Sequence, residues 1–173
     1  VPGDCGDEYR TPPFLTATGD LSQHLEQVEK IFVCNPSESR EDAIKVLSGS
    51  EWEDVAGYCR AQRIGDLIVV SGTTATAGHS RIVAKGDAAA QTTFILDKIA
   101  AALEALGASI KDIVRTRIYL VNVEDTLAVS KAHGRVFGQI KPANTLLQVG
   151  GLVGDYLVEI EADALIRNNN SLN

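Results

Sequence analysis

No run of about 18 apolar residues occurs in the sequence, so no segment reads as a membrane-spanning helix. No positively charged start followed by an apolar stretch marks a secretory leader. Basic residues are in the minority: 16 Lys and Arg against 23 Asp and Glu give a formal net charge of -7. That balance lacks the phosphate-neutralising patch a nucleic-acid binder needs, and it repels anionic membranes. The three cysteines, Cys5, Cys34 and Cys59, have no C-x-x-C spacing, which argues against both a disulfide framework and a zinc site. His24 and His79 have no Cys or carboxylate partner at ligand spacing, so a metal site is not expected. Gly72, Gly78 and Gly86 do not form a phosphate loop, and no Gly-x-Ser-x-Gly elbow surrounds Ser71.

What remains is a globular composition. With 173 residues and 45% apolar side chains, the chain is long enough for one domain with a core and too short for two large ones. Cys59 is expected as a buried free thiol. Cys5 and Cys34 are a candidate pair only in an oxidising compartment. The chain opens at Val1 and ends with an Asn169-Asn170-Ser171 sequon in a polar tail. The expected compartment is the cytoplasm, with a removed leader left open.

Residues 1–49 read as an extension, irregular with short helices. Leu21, Leu25, Val28 and Phe32 have helical spacing over Leu21–Val33, and Ala43, Ile44 and Leu47 suggest a second short helix over Ser39–Leu47. The extension is expected either to pack as an appendage or to act as a lid. Residues 50–167 read as the folded domain, and 168–173 as a polar tail.

Within the domain, strands are expected over Ala56–Gln62 and Leu67–Ser71, joined by a turn at Arg63-Ile64-Gly65-Asp66. A loop follows from Gly72 to Lys85. Asp87 can cap a helix reaching Leu106, with Leu96, Ile99, Leu103 and Leu106 on its apolar face and Gly107 closing it. A strand over Ile113–Val121, a helix over Glu124–Phe137 and strands over Ala143–Val149 and Tyr156–Ile166 complete the order β-β-α-β-α-β-β. This is an α+β chain with a mixed sheet and both helices on one face.

Alternation divides two strands by face. Val114, Thr116, Ile118 and Leu120 point one way, and Arg115, Arg117 and Tyr119 the other. Val158, Ile160, Ala162 and Ala164 oppose Glu159, Glu161 and Asp163. The apolar sets face the helices. The charged face is either a solvated side of the sheet or a surface buried between copies of the chain, its charges paired across strands. Ser71 and Thr73 are candidates to hydrogen-bond a substrate carbonyl.

Several segments resemble the YjgF/RidA (reactive intermediate deaminase) family. They are Gly57-Tyr58-Cys59-Arg60-Ala61, Ile68 to Ala75, Gly86 to Thr92, Val114 to Tyr119, Ala132-His133-Gly134, Pro142 to Thr145 and Val158 to Ala162. The resemblance spans about Gly49 to Arg167. It implies a chorismate-mutase-like fold, a homotrimer with clefts between subunits, and cofactor-free hydrolysis of enamines or imines. It implies that Glu159 positions a water and that Tyr58 lines the cleft, the two being the catalytic candidates, with His133 near the rim as a possible base. One position departs from the deaminase branch. Where that branch carries an arginine for the substrate carboxylate, this chain has Asn144, which cannot form a bidentate ion pair; Leu146 stands where that branch has a cysteine. Arg60 and Arg117 are the candidate replacements for an anionic ligand. The chain looks like the arginine-lacking subgroups. Deaminase-like hydrolysis and a tautomerisation or rearrangement of a carbonyl compound therefore both stand, with a non-catalytic ligand-binding or chaperone-like trimer as the alternative.

Overall fold

The computed structural model describes residues 32–34, 43–78 and 80–167. Strands β1 (Phe32–Cys34) and β2 (Ala43–Leu47) precede a short helix α1 (Glu51–Ala56). Strands β3 (Ala61–Ile64) and β4 (Leu67–Thr74) form a hairpin, followed by a small ribbon, β5 (Thr76–Ala77) and β6 (Arg81–Ile82). Helix α2 (Ala88–Ala105), β7 (Ile113–Leu120), α3 (Thr126–Phe137), β8 (Ala143–Gln148) and β9 (Val158–Leu165) complete the order. The main sheet has seven strands in the order β1-β2-β3-β4-β9-β7-β8. β7 and β8 run parallel, as the intervening α3 crossover requires, and the other neighbours are antiparallel. The expected α+β chain with a mixed sheet is therefore present.

Local signals account for the longer elements. Asp87 Oδ1 accepts from the Ala90 N–H at 2.9 Å and caps α2. Gly107, at φ 77°, takes the left-handed conformation just past the end of α2. Leu96, Ile99, Leu103 and Leu106 are all buried, as their spacing predicts, and α2 packs on β4 and β9. Ser109 and Asp112 close a capping box that leads into β7.

The helix expected over Ser39–Leu47 is a strand where the residues are described. Ala43–Leu47 pairs antiparallel with β3, Val46 against Ala61, and Val46 is buried in the core. Three apolar positions in nine residues fit either period, and the exposed edge of β3 decides the outcome. The helix expected over Leu21–Val33 lies outside the described residues except at Phe32 and Val33, which are strand. Cys5, His24, His79 and the Asn169 sequon also lie outside them.

Residues expected to open the first domain strand at Ala56 instead end α1, a single short turn of helix capped by Ser50 and closed by Gly57 at φ 70°. Six residues with Trp52 and Val55 facing solvent leave no periodicity to read. Buried Glu53 ties this turn down. Its carboxylate accepts from the Ser48 and Gly49 N–H groups and from the Ser48 hydroxyl, and its carbonyl receives the Gly57 and Tyr58 N–H groups.

β7 contains a bulge. Ile113 pairs with Ala164 and Arg115 with Asp163, so Val114 is the extra residue. Val114, expected inside, is 38% exposed, and Ile113 takes its place in the core. Beyond the bulge the alternation holds: Thr116, Ile118 and Leu120 are buried, opposite Val158, Ile160, Ala162 and Ala164 of β9.

Two stability predictions follow from this packing. Ile160 is fully buried between β4 and β7, and Ile160→Ala should cost about 2–5 kcal/mol in urea unfolding. Burial pushes the Asp97 carboxyl on α2 from 3.8 up to about 6. A carboxyl raised in the folded state favours folding while protonated, and that contribution is lost as pH rises from 3.8 through about 6. Asp97→Asn should therefore raise the unfolding midpoint above that window, and the gain should vanish below it.

Candidate active site

The outer face of the sheet, away from α2 and α3, carries a charged ladder. Arg117 Nη2 lies 3.0 Å from Asp163 Oδ2 and its Nη1 lies 3.8 Å from Glu161 Oε1. Arg115 Nε lies 3.8 Å from Asp163, and the Tyr119 hydroxyl donates to Glu161. These pairs are half-exposed and contribute little stability singly. They do commit Arg117 to the acids of β9, so the guanidinium expected to receive an anionic ligand is already occupied.

Glu159 is the acid of β9 left out of this ladder. It lies opposite Tyr119 on one side and Thr74 on the other. Between Val70 and Thr73, β4 advances three residues while β9 advances from Ala162 to Ile160, which makes a bulge at Ser71-Gly72. The Glu159 carboxylate fills the space at that bulge. A Cβ on Gly72 would fall 2.0 Å from Glu159 Oε1, so only glycine allows the approach. Burial raises the Glu159 pKa; the Arg60 charge opposes the rise and Glu161 adds to it. Arg60 is itself 8% exposed and donates from Nη2 to the Gly72 carbonyl at 2.6 Å. One buried arginine thus braces the bulge and tempers the acid beside it.

The remaining sequence candidates are placed as follows. The Ser71 N–H donates to the Arg60 carbonyl and its hydroxyl to the Cys59 carbonyl at 2.8 Å, leaving oxygen lone pairs for a ligand. Thr73 is fully buried and its hydroxyl donates to the Ser71 carbonyl, so it shapes the bulge and has no surface to offer a substrate. The reason is the bulge itself, which sets Thr73 opposite Ile160 on the core side. Tyr58, in the segment held by Glu53, is 38% exposed. Burial raises the pKa of the half-buried Cys59 thiol, consistent with an inert thiol.

His133, Asn144 and Leu146 lie on the other side of the sheet. Pairing of Thr116 with Asn144 and of Ile118 with Leu146 places both β8 side chains on the helix face. The Thr116 hydroxyl donates to Asn144 Oδ1 at 3.0 Å and lies 3.0 Å from His133 Nε2. The His133 ring packs at 4.4 Å from Phe137, and burial lowers its pKa. One chain therefore places its candidate residues on opposite faces of the sheet. Among the described residues no group of three or more His, Cys, Asp or Glu side chains is arranged to hold a metal ion.

Sequence reasoning missed three of these parts. Gly72 read as the start of a loop, although a glycine inside a β-branched run signals a bulge or a close approach. Thr116 was counted only among inward-facing residues. Glu53 carried no sequence signal.

Residues 49–166 match the family model described as Endoribonuclease L-PSP. The chain belongs to the YjgF/RidA/RutC family. An uncharacterized protein of Streptomyces coelicolor is 36% identical over 121 residues, covering 69% of this chain and 90% of that one. The 3-aminoacrylate deaminase RutC of Acinetobacter baylyi is 33% identical over 110 residues, 64% of this chain and 87% of that one. A crystal structure of a YjgF-family protein from Mycobacterium tuberculosis superposes with a TM-score of 0.65 at 43% identity, covering 72% of this chain and 99% of that one. The YjgF protein of E. coli gives a TM-score of 0.59 at 30% identity, with 64% and 88% covered. These neighbours share the α+β architecture.

The Gly72–Glu159 contact yields a specific expectation. Gly72→Ala should cost about 1 kcal/mol or less, because the new methyl meets only the end of the Glu159 side chain and pushes the carboxylate off the bulge. Removing the acid as well, in a Gly72→Ala/Glu159→Ala double variant, should recover most of the loss in a double-mutant cycle read by denaturant unfolding. Additive losses would show that the two residues do not compete for one space.

Proposed function

We propose that this chain is a cofactor-independent enzyme that acts on an enamine, an imine or a related carbonyl compound, using Glu159 and a bound water. The observation that carries this reading is the half-buried Glu159 carboxyl seated over Gly72, with its pKa raised by burial and a buried arginine beside it. A carboxyl so placed has both protonation states within reach and suits general acid–base work. The similarity to a protein named 3-aminoacrylate deaminase supports the enamine class.

The chemistry balances with these groups alone. Protonated Glu159 gives its proton to the enamine carbon and an iminium forms. The resulting carboxylate takes a proton from water as the water oxygen bonds to the iminium carbon. The carbinolamine formed expels ammonia and leaves the carbonyl product. Stopping after the first proton transfer and returning the proton elsewhere gives a tautomerisation at the same site.

Glu159 and Asn144 occupy opposite faces of one sheet, so a single cleft that uses both takes Glu159 from one copy and Asn144 from another. A closed homotrimer supplies three such clefts and buries the charged ladder between copies. In this arrangement residues 50–167 carry the catalytic groups, and β2 from the preceding segment extends their sheet through its pairing with β3.

Freshly generated enamines and imines, followed by ammonia release in stopped flow, test the reading. Glu159→Gln should lower kcat by about 10²-fold or more with KM little changed. For enamines, kcat/KM should fall as pH rises through the raised Glu159 pKa, because the acid form is consumed. An unchanged rate in Glu159→Gln, or suppression of client aggregation with no turnover of any substrate, would replace the enzyme by a binding protein.

A further inference from the structure

The His133–Thr116–Asn144 chain decides which end of the Asn144 amide faces a ligand. A threonine hydroxyl has one proton. Here it goes to Asn144 Oδ1 at 3.0 Å, while His133 Nε2 lies 3.0 Å from the threonine Oγ1 itself. Two lone pairs cannot share that contact, so Nε2 must carry a proton and donate to Thr116. The carbonyl end of Asn144 is then occupied. Its NH₂ group, on an exposed residue of the edge strand β8, is the end left for a ligand.

The order of donors is well held. Thr116 is fully buried. The His133 ring is fixed against Phe137 at 4.4 Å. Burial disfavours the imidazolium, so at neutral pH the three side chains carry no formal charge. Leu146, two residues along β8 on the same face, adds an apolar neighbour. Of the basic residues flanking this group in sequence, Lys131, Arg135 and Lys141 are exposed to solvent, and Arg115 and Arg117 beside Thr116 reach Asp163 on the outer face.

We infer that Asn144 determines specificity as a fixed amide donor, with Thr116 and His133 as its positioning residues, and that it takes an uncharged oxygen acceptor such as an amide, ester or ketone carbonyl and not a carboxylate. This rests on the cleft proposed above and names the class of substrate it takes. A carboxylate brought to a neutral amide gives up its hydration without a cation to replace it. A ketone or amide oxygen gives up far less and gains the same hydrogen bond.

Binding to the purified full chain is to be measured with a matched pair, 2-oxobutanamide and 2-oxobutanoate, by NMR titration and calorimetry. The amide should bind about tenfold or more tightly than the acid, the ratio set by one hydrogen bond gained and one anion desolvated. Thr116→Val should abolish that preference and Thr116→Ser should restore it. Asn144→Ala, at an exposed position, should abolish it as well and serves if the buried Thr116→Val variant fails to fold. Tighter binding of the acid, equal binding of the two, no binding of either at millimolar concentration, or a preference untouched in Asn144→Ala would overturn the inference. The Glu159→Gln rate separates the two proposals: an unchanged rate with the amide preference intact removes the chemistry and keeps the ligand class.

Discussion

The alternation of β9 is the constraint on which the rest depends. Val158, Ile160, Ala162 and Ala164 are buried beneath the helices, and Glu159, Glu161 and Asp163 line the outer face. β9 lies between β4 and β7, so both neighbours take their register from it. A slip of one residue would drive three carboxylates into the core, at a cost far above the stability of a small domain. The register is therefore fixed, and irregularity is confined to the neighbours. β4 bulges at Ser71-Gly72 and β7 at Val114.

The bulge in β4 gives the acid its properties. In a regular ladder Glu159 would stand off the sheet in water with an ordinary pKa. At the bulge, the missing Cβ of Gly72 lets the carboxylate lie against the backbone, where it loses part of its hydration. Arg60 limits the effect without cancelling it. Its guanidinium is turned to the Gly72 carbonyl, so it acts on Glu159 as a nearby charge while also bracing the strand. Desolvation outweighs that attraction, and the carboxyl stays raised.

Much of this was legible in the sequence because it depends on short periods. The apolar faces of α2 and β9 follow from spacing, and the caps at Asp87 and Gly107 from residue type. The pairing of Arg117 with acids of β9 follows from two alternating strands. The parts that were not legible depend on partners distant in the chain or on single residues. Ala43–Leu47 becomes a strand only because β3 offers an edge. Val114 is expelled by a bulge that alternation cannot signal. Thr73 and Ser71 look alike in sequence, yet the bulge buries one and leaves the other beside the site. The separation of Glu159 from Asn144 is a matter of faces, which motif order along the chain does not record.

The disposition of charge bears on the ligand from a second direction. On the outer face, Arg115 and Arg117 stand against Glu159, Glu161 and Asp163, and both arginines are drawn to Asp163. Moving Arg117 toward an anionic ligand would break its contacts with Asp163 and Glu161 and leave Asp163 only the longer contact with Arg115. Arg60 is held by the Gly72 carbonyl, and releasing it would loosen the bulge that seats Glu159. The cations nearest the acid are thus committed to the protein's own oxygens, and the surplus charge of the face is negative. An uncharged ligand meets no such opposition on that side, and on the other it meets only the neutral His133–Thr116–Asn144 chain.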